Sequence, residues 1–316
     1  MKKIVGFGHY LKEKFGKVIR KVPVSIPGFT CPNIDGRVGR GGCIFCENES
    51  FSPNFQRSRF TLNLESKENP LLPSQLQALQ TQFFRTAPIL KRYYRAEGFI
   101  IYFQSFTNTY APLETLRQLY LKALSLPGVI GISVGTRTDS VTEPILDFLA
   151  ELGERWEVWI EYGVQSSNNA TLQRINRGHT FQNVVEWSSK TLARGLPMCA
   201  HLIFGLPGEG REEMLQSVKD TISLGFKSYK FHPLYITRNT LLAKEYLKGT
   251  YIPLKREEYL KLLAEGLKLL PDGVSVQRIT AGSPKALAPE WCRQKGKLIS
   301  YLVKGLKKEG IQIWDN

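Results

Sequence analysis

From residue 74 onward the chain alternates between amphipathic helical stretches and short apolar runs of strand length. That alternation restricts the fold more than any other feature. The spacing predicts helices over 74–94, 113–124, 143–152, 184–195, 211–225 and 256–270. Gly195 and Gly225 close two of them, where helix C-termini favour glycine. Between the helices lie strands over GFIIYFQ (98–104), VIGISVG (129–135), EVWIEYGVQ (157–165), MCAHLIFG (198–205) and YKFHPLYI (229–236), with VSVQRIT (274–280) as a further one. Strands joined through helices pair in parallel and are buried on both faces, which suits these runs. The expected fold class is α/β, a partial (β/α) barrel of about six parallel strands. In such a barrel the chemistry gathers at the C-terminal ends of the strands. The polar segments QSFTNT, TRTDS, GVQSSNN, GLPGEG and HPLYI all follow strands.

The ends of the chain are organised differently. Residues 2–21 are basic, with Phe7, Tyr10, Leu11, Phe15, Val18 and Ile19 at near-helical spacing. They predict a helix covering one end of the core, or a basic arm. Residues 47–73 lack periodicity and predict loop. The expected domains are a basic N-terminal extension (1–22), a barrel core (23–255) and a C-terminal extension on the substrate side (256–316).

No apolar run approaches the ~20 residues of a membrane span. The N-terminus has no apolar core of the secretory type. A cytoplasmic protein without membrane partners is expected. The 43 Lys and Arg exceed the 28 Asp and Glu, leaving +15. Such an excess suits a polyanion, because neutralising phosphates releases counterions.

Five cysteines are an odd number, and three of them lie within CPNIDGRVGRGGCIFC (31–46). Clustering of this kind points to metal or catalysis rather than to a disulfide framework. Cys31, Cys43 and Cys46 are one ligand short of a closed zinc tetrahedron, and no histidine lies nearby. A zinc site with a distant fourth ligand, a redox pair at Cys43 and Cys46, and an iron–sulfur cluster all remain open on spacing alone.

Three cysteines ending in C-x-aromatic-C, with Phe45 in the aromatic slot, resemble the radical S-adenosylmethionine (SAM) superfamily. Eleven residues separate Cys31 from Cys43, where three is the common number. That spacing resembles the group related to the radical domain of the Elongator catalytic subunit, and within it the short YhcC-like proteins. FQSFTNTYAP, VGTRTD, IEYGVQS, RINRGHT, HLIFGLPGEG, KFHPLYI and LAPEWC extend the likeness over roughly residues 10 to 300.

The resemblance implies a [4Fe–4S] cluster on Cys31, Cys43 and Cys46, with SAM on the fourth iron. Glycines 36, 39, 41 and 42 would let the loop wrap it. Gln104, Ser105 and Thr107 stand where relatives hold the methionyl amine, although this chain has no GGE. Glu161 and Gln165 are assigned to the ribose or methionyl region, and Arg177 to the SAM carboxylate. Ile203, Gly205, Gly208 and Glu209 match an adenine motif, and Leu234 lies toward the end of the next predicted strand. Arg137 and Asp139 belong to SAM or substrate. Cys292 is either a second catalytic thiol or a packed one. Cys199, His201 and His232 predict packed core positions.

The implied partners are a tRNA substrate and a one-electron donor such as flavodoxin or ferredoxin. The Elongator subunit carries an acetyltransferase domain after its radical domain, and this sequence shows no such segment. The resemblance therefore implies remodelling of a wobble-uridine side chain. Lysines and arginines at 227, 230, 238, 285, 293, 295 and 297 are expected on the surface facing RNA. A small metabolite or protein substrate, or a non-catalytic zinc or RNA-binding role, are the competing readings.

Overall fold

The computed structural model describes residues 1–314 except 53, 56, 57, 59 and 67. Strand β1 (Lys2–Gly6) runs directly into helix α1 (Phe7–Phe15), and β2 (Ile19–Val24) follows. The single-turn helices α2 (Pro32–Asp35) and α3 (Asn48–Phe51) flank the cysteine loop. The alternating part comprises α4 (Leu72–Tyr94), β3 (Gly98–Phe103), α5 (Leu113–Leu124), β4 (Val129–Thr136), α6 (Glu143–Gly153) and β5 (Glu157–Gln165). It continues through α7 (Asn169–Arg174), α8 (Phe181–Leu192), β6 (Met198–Phe204), α9 (Arg211–Ser223), β7 (Ser228–Pro233) and α10 (Leu241–Leu247). Helix α11 (Arg256–Leu269), β8 (Ser275–Arg278), α12 (Lys295–Lys308) and β9 (Ile311–Trp314) complete it.

All nine strands form one sheet in the order β2-β3-β4-β5-β6-β7-β8-β1-β9. Every neighbouring pair is parallel. The α/β partial-barrel expectation holds, with nine strands instead of about six. Strands β2 to β7 are the six-strand part, and β8, β1 and β9 extend it. The helix expected over 2–21 is instead strand, helix, strand. Both short strands carry lysines, which hide their period from a reading of apolar runs. Helix α1 does cover one end of the core. Phe7 and Leu11 pack with Ile19, Ile100 and Trp159 across the N-terminal end of the barrel interior. Phe7 meets the Trp159 ring edge-on at 5.1 Å.

The two faces of the sheet differ in chemistry. Side chains alternate along a strand. Val22, Val24, Phe99, Ile101, Phe103, Ile132, Val134, Ile160 and Tyr162 face the outer helices and join the main apolar core. Phe83 of α4 meets Phe99 edge-on at 5.6 Å, and Tyr120 of α5 meets Phe103 at 4.9 Å. Each such fully buried ring contributes about 1.5–3 kcal/mol. The inner face carries Lys21, Tyr102, Ser133, Glu161, His201 and Lys230, joined by hydrogen bonds, ion pairs and cation–π contacts. A polar layer therefore lies above the apolar plug and below the strand ends.

Candidate functional site

Two cavities open inside the half-barrel. The first, about 280 Å³, lies at the C-terminal ends of the strands and is walled by the cysteine loop. Cys31, Cys43 and Cys46 line it together with Phe45, Gln104, Thr107, Arg137, Glu161, Gln165, Arg177, Ile203 and Leu234. The structure thus brings most of the residues singled out in the sequence to one wall. Ser105, Gly205, Gly208 and Cys292 are not among its lining. Ser105 donates to Ser52 Oγ at 2.6 Å below the surface. Gly205 turns the chain at φ +90° and accepts the Tyr251 hydroxyl at 2.7 Å. Cys292 is fully buried, and burial pushes its thiol up to about 12.

The cysteine loop is held by local backbone bonds. The amides of Ile34 and Asp35 bond the Cys31 carbonyl, and Cys46 N–H bonds the Cys43 carbonyl. Gly42 adopts φ +79°, a conformation that favours glycine. Its N–H bonds the Asn33 carbonyl, and its carbonyl accepts Asn176 Nδ2 at 2.8 Å. At Gly39 a Cβ would meet Asn33 Oδ1 at 2.2 Å, so any other residue would displace the Asn33 side chain. Non-glycine residues with positive φ also gather here: Phe106 at 61°, Gln165 at 69° and Asn176 at 53°. Such strained conformations cluster at ligand sites.

Each thiol sulfur has an N–H donor aimed at it. Arg137 Nη1 lies 3.8 Å from Cys31 Sγ, and Arg177 Nη1 lies 3.8 Å from Cys43 Sγ. Asn33 Nδ2 lies 3.7 Å from Cys43 Sγ, and Asn48 Nδ2 lies 3.8 Å from Cys46 Sγ. Desolvation, Cys43 and Cys31 push the Cys46 thiol up to about 12. The Cys46 thiol therefore resists ionising, and a bound metal removes that penalty because a coordinating thiol is deprotonated outright. Three soft sulfur donors with amide and guanidinium hydrogen bonds fit an iron–sulfur cluster.

The two arginines differ. Arg137 pairs with Asp139 through both carboxylate oxygens, at 2.7 and 2.6 Å, and also donates to the Arg177 carbonyl. Arg177 is buried and bonds the Gly163 carbonyl, while its Nε has no partner among the described residues. A Cβ at Gly163 would lie 3.1 Å from the Arg177 guanidinium. Gly163 thus gives Arg177 room, and it was not singled out in the sequence. A buried guanidinium without a carboxylate is a place for an anionic ligand.

Glu161 lines the same cavity, but its oxygens are engaged. It accepts from Lys21, Lys230, Ser133 and His201, the last at 2.7 Å. Burial alone would raise its carboxyl. The two ammonium groups and His201 overcome that and hold it well below the usual carboxylate range. Burial pushes His201 down to about 4, so it is neutral near neutral pH. Burial also pushes the Lys230 ammonium down, opposed by Glu161. Lys230, expected on the surface, is therefore an interior residue. Burial brings it down to about 7, and Glu161 is the carboxylate that favours its charged form. Glu161, Cys199 and His201 also place ligand-type atoms within 4.8 Å of one another. The two lysines on that carboxylate make the group an ion-pair cluster.

Glu209 accepts the Ser166 hydroxyl, and burial pushes its carboxyl up to about 7. No helix among the described residues is long and apolar enough to cross a membrane.

The second cavity, about 770 Å³, opens sideways where α1 bridges β2 and β8. Ser50, Tyr102, Gln104, Arg278 and Lys295 line both cavities, so the two share one wall. Tyr102, Arg278 and Lys295 were not predicted to face the cysteines. An arginine at the end of β8 and a lysine at the start of α12 were the available signal.

Comparison with known proteins agrees with this geometry. Residues 34–221 match the Radical SAM superfamily, and residues 226–308 match its C-terminal domain. The chain is 35% identical over 309 residues to Protein YhcC of Escherichia coli (strain K12), covering 97% of this chain and 93% of that one. It is 24% identical over 186 residues to a tRNA uridine(34) acetyltransferase of Methanocaldococcus jannaschii, covering 58% of this chain and 34% of the relative. The structure of the archaeal Methanocaldococcus infernus Elp3 superposes with a TM-score of 0.63 at 15% identity, over 92% of this chain and 63% of that one. Sequence and fold lead to one assignment: the chain belongs to the radical SAM superfamily, enzymes that use a [4Fe–4S] cluster and S-adenosylmethionine.

Proposed function

We propose that the chain is a radical SAM enzyme that modifies a tRNA base, with a wobble-uridine side chain as its target. The carrying observation is the cavity in which Cys31, Cys43 and Cys46 face Arg177 and the strand ends. The three cysteines are the cluster ligands in this reading. Held there, a [4Fe–4S] cluster would supply the electron for reductive cleavage of SAM, the chemistry that opens hydrogen abstraction from a substrate.

The protein's own residues bind and orient. Arg177 takes the SAM carboxylate, for which its fork geometry is suited. Gln104 and Thr107 stand on the wall for the amino group, and Gln165 for the ribose. Ile203 and Leu234 give the adenine an apolar wall. Gly205 and Gly208, with φ of +90° and +89°, shape the turn behind it. Glu161 acts as a positioning residue, fixing Lys21 and Lys230 in the barrel interior. Phe7 and Leu11 of helix α1 plug the N-terminal end of the barrel interior. A water-poor, closed site protects a reactive intermediate.

Support for tRNA comes from the alignment with a tRNA uridine(34) acetyltransferase and from the +15 charge. Anticodon bases are single-stranded and can enter a pocket. Of the basic residues expected to face RNA, Lys227, Arg238, Lys285, Arg293, Lys295 and Lys297 are exposed.

The test is anaerobic reconstitution with iron and sulfide, then dithionite and SAM, with and without bulk tRNA. 5′-Deoxyadenosine formation stimulated by tRNA is the expected result. A colourless, zinc-bearing protein would overturn the radical reading. Deoxyadenosine formed equally without tRNA would overturn the RNA reading and favour a small-molecule or protein substrate.

A further inference from the structure

The sideways cavity has more positive charge than the fold uses. Lys21 and Lys230 both pair with Glu161 in the barrel interior. Arg278 and Lys295, which line both cavities, form no ion pair with a carboxylate among the described residues. They are close enough that Arg278, together with burial, lowers the Lys295 ammonium. Glu49, the carboxylate on the cavity rim, pairs with Lys285 at 3.5 Å. Beside them Gln277 accepts from Lys21 Nζ at 2.6 Å, while its buried Nε2 has no partner among the described residues. Two cations and a spare amide donor thus line a cavity large enough for a nucleotide-sized group.

We propose that Arg278 and Lys295 form an oxyanion subsite for the substrate. They would take a phosphate or carboxylate carried by it and hold the adjoining part toward the cysteine cavity, whose wall they also line. The fork of Arg278 matches either anion, and Lys295 adds a point charge. The anion has two sources on an RNA substrate: the phosphodiester beside the target nucleotide, or a carboxylate on the modified base. This proposal rests on the reading that the cysteine cavity is where SAM and substrate meet. It does not require the substrate to be RNA.

The test is equilibrium binding to the cluster-loaded protein with SAM present. The probes are uridine 5′-monophosphate, a uridine with a carboxymethyl group on its base, plain uridine and an anticodon stem–loop RNA. One anionic probe is expected to bind at least about tenfold more tightly than uridine, as a charge-assisted contact allows. Whichever anion wins identifies the source. Arg278→Gln and Lys295→Gln should each remove most of that preference and flatten its salt dependence. Unchanged cluster absorbance and melting temperature in the variants would establish that they are folded. Equal binding of all three small probes, or full preference in both variants, overturns the subsite. Stem–loop RNA that fails to bind while an anionic probe does bind overturns the RNA reading and leaves the subsite standing.

Discussion

Arg177 Nη1 lies 3.8 Å from Cys43 Sγ, joining residues 134 positions apart in sequence. The same guanidinium bonds the Gly163 carbonyl, so β5 and the cysteine loop share one cation. Arg177→Gln is expected to weaken SAM binding by about tenfold or more, since a bidentate charged contact is lost. Arg177→Lys should fall between, because lysine keeps the charge without the fork. Iron per chain should stay near the wild-type value in both. SAM titration of the holoprotein alongside iron analysis checks this. Iron loss in step with SAM loss would make Arg177 a support of the loop instead.

The five cysteines should divide cleanly. Cys31→Ala, Cys43→Ala or Cys46→Ala should each remove most of the bound iron and the brown colour. Cys199→Ala should keep the cluster, because Cys199 packs in the apolar plug with Trp159 and Ile100. Cys292→Ala should also keep the cluster and lose stability by about 1–2 kcal/mol, the cost of a small core cavity. Iron content and denaturant melts separate the two groups. Loss of modified product with SAM cleavage intact in Cys292→Ala would instead identify a second catalytic thiol.

Much of this was legible in the sequence where local pattern sets the structure. The strand predicted over 157–165 is β5 residue for residue, and those predicted over 98–104 and 129–135 differ from β3 and β4 by one residue at an end. Long apolar runs between amphipathic helices leave little choice. Strands β1 and β9 were not legible. They are four or five residues long, and their pairing joins the two ends of the chain. Most cofactor candidates also reached one cavity, because they follow strand ends that a parallel sheet must align. The interior ion cluster was less visible. Glu161, His201 and Lys230 lie on adjacent strands, but Lys21 comes from β2, three strands from β5, and only barrel curvature brings it to them. The available clue was a charge in the middle of each apolar run, such as Glu161 in WIEYG and Lys230 in YKF. An acid and a base so placed on different strands of one sheet call for each other.

Glu161→Gln tests that cluster directly. The amide would leave Lys21 and Lys230 inside the barrel without a counter-ion. Breaking a buried pair from one side costs about 3–5 kcal/mol. The variant should melt well below wild type. Glu161→Gln combined with Lys230→Met should recover part of the loss, giving a coupling energy of at least about 1 kcal/mol in a double-mutant cycle. Strictly additive effects would mean that the two side chains do not stabilise each other.

The same cluster predicts acid lability. His201 is held neutral down to about 4 by burial and by Lys230, whereas an unfolded histidine protonates near 6.5. Between these values the unfolded chain binds the extra proton, so stability falls as pH drops from ~6.5 toward 4. A shift of that size corresponds to about 3 kcal/mol at most. Glu161 acts in the same direction at lower pH, because its carboxyl is held well below its usual range and its stabilisation is lost as it protonates. His201→Gln keeps a donor toward Glu161 but cannot titrate. Its melting temperature should start lower at pH 7 and fall less between pH 6.5 and 4.5. Parallel curves for wild type and His201→Gln would show that His201 does not carry the pH dependence, and would shift the origin to His232 or the carboxylates.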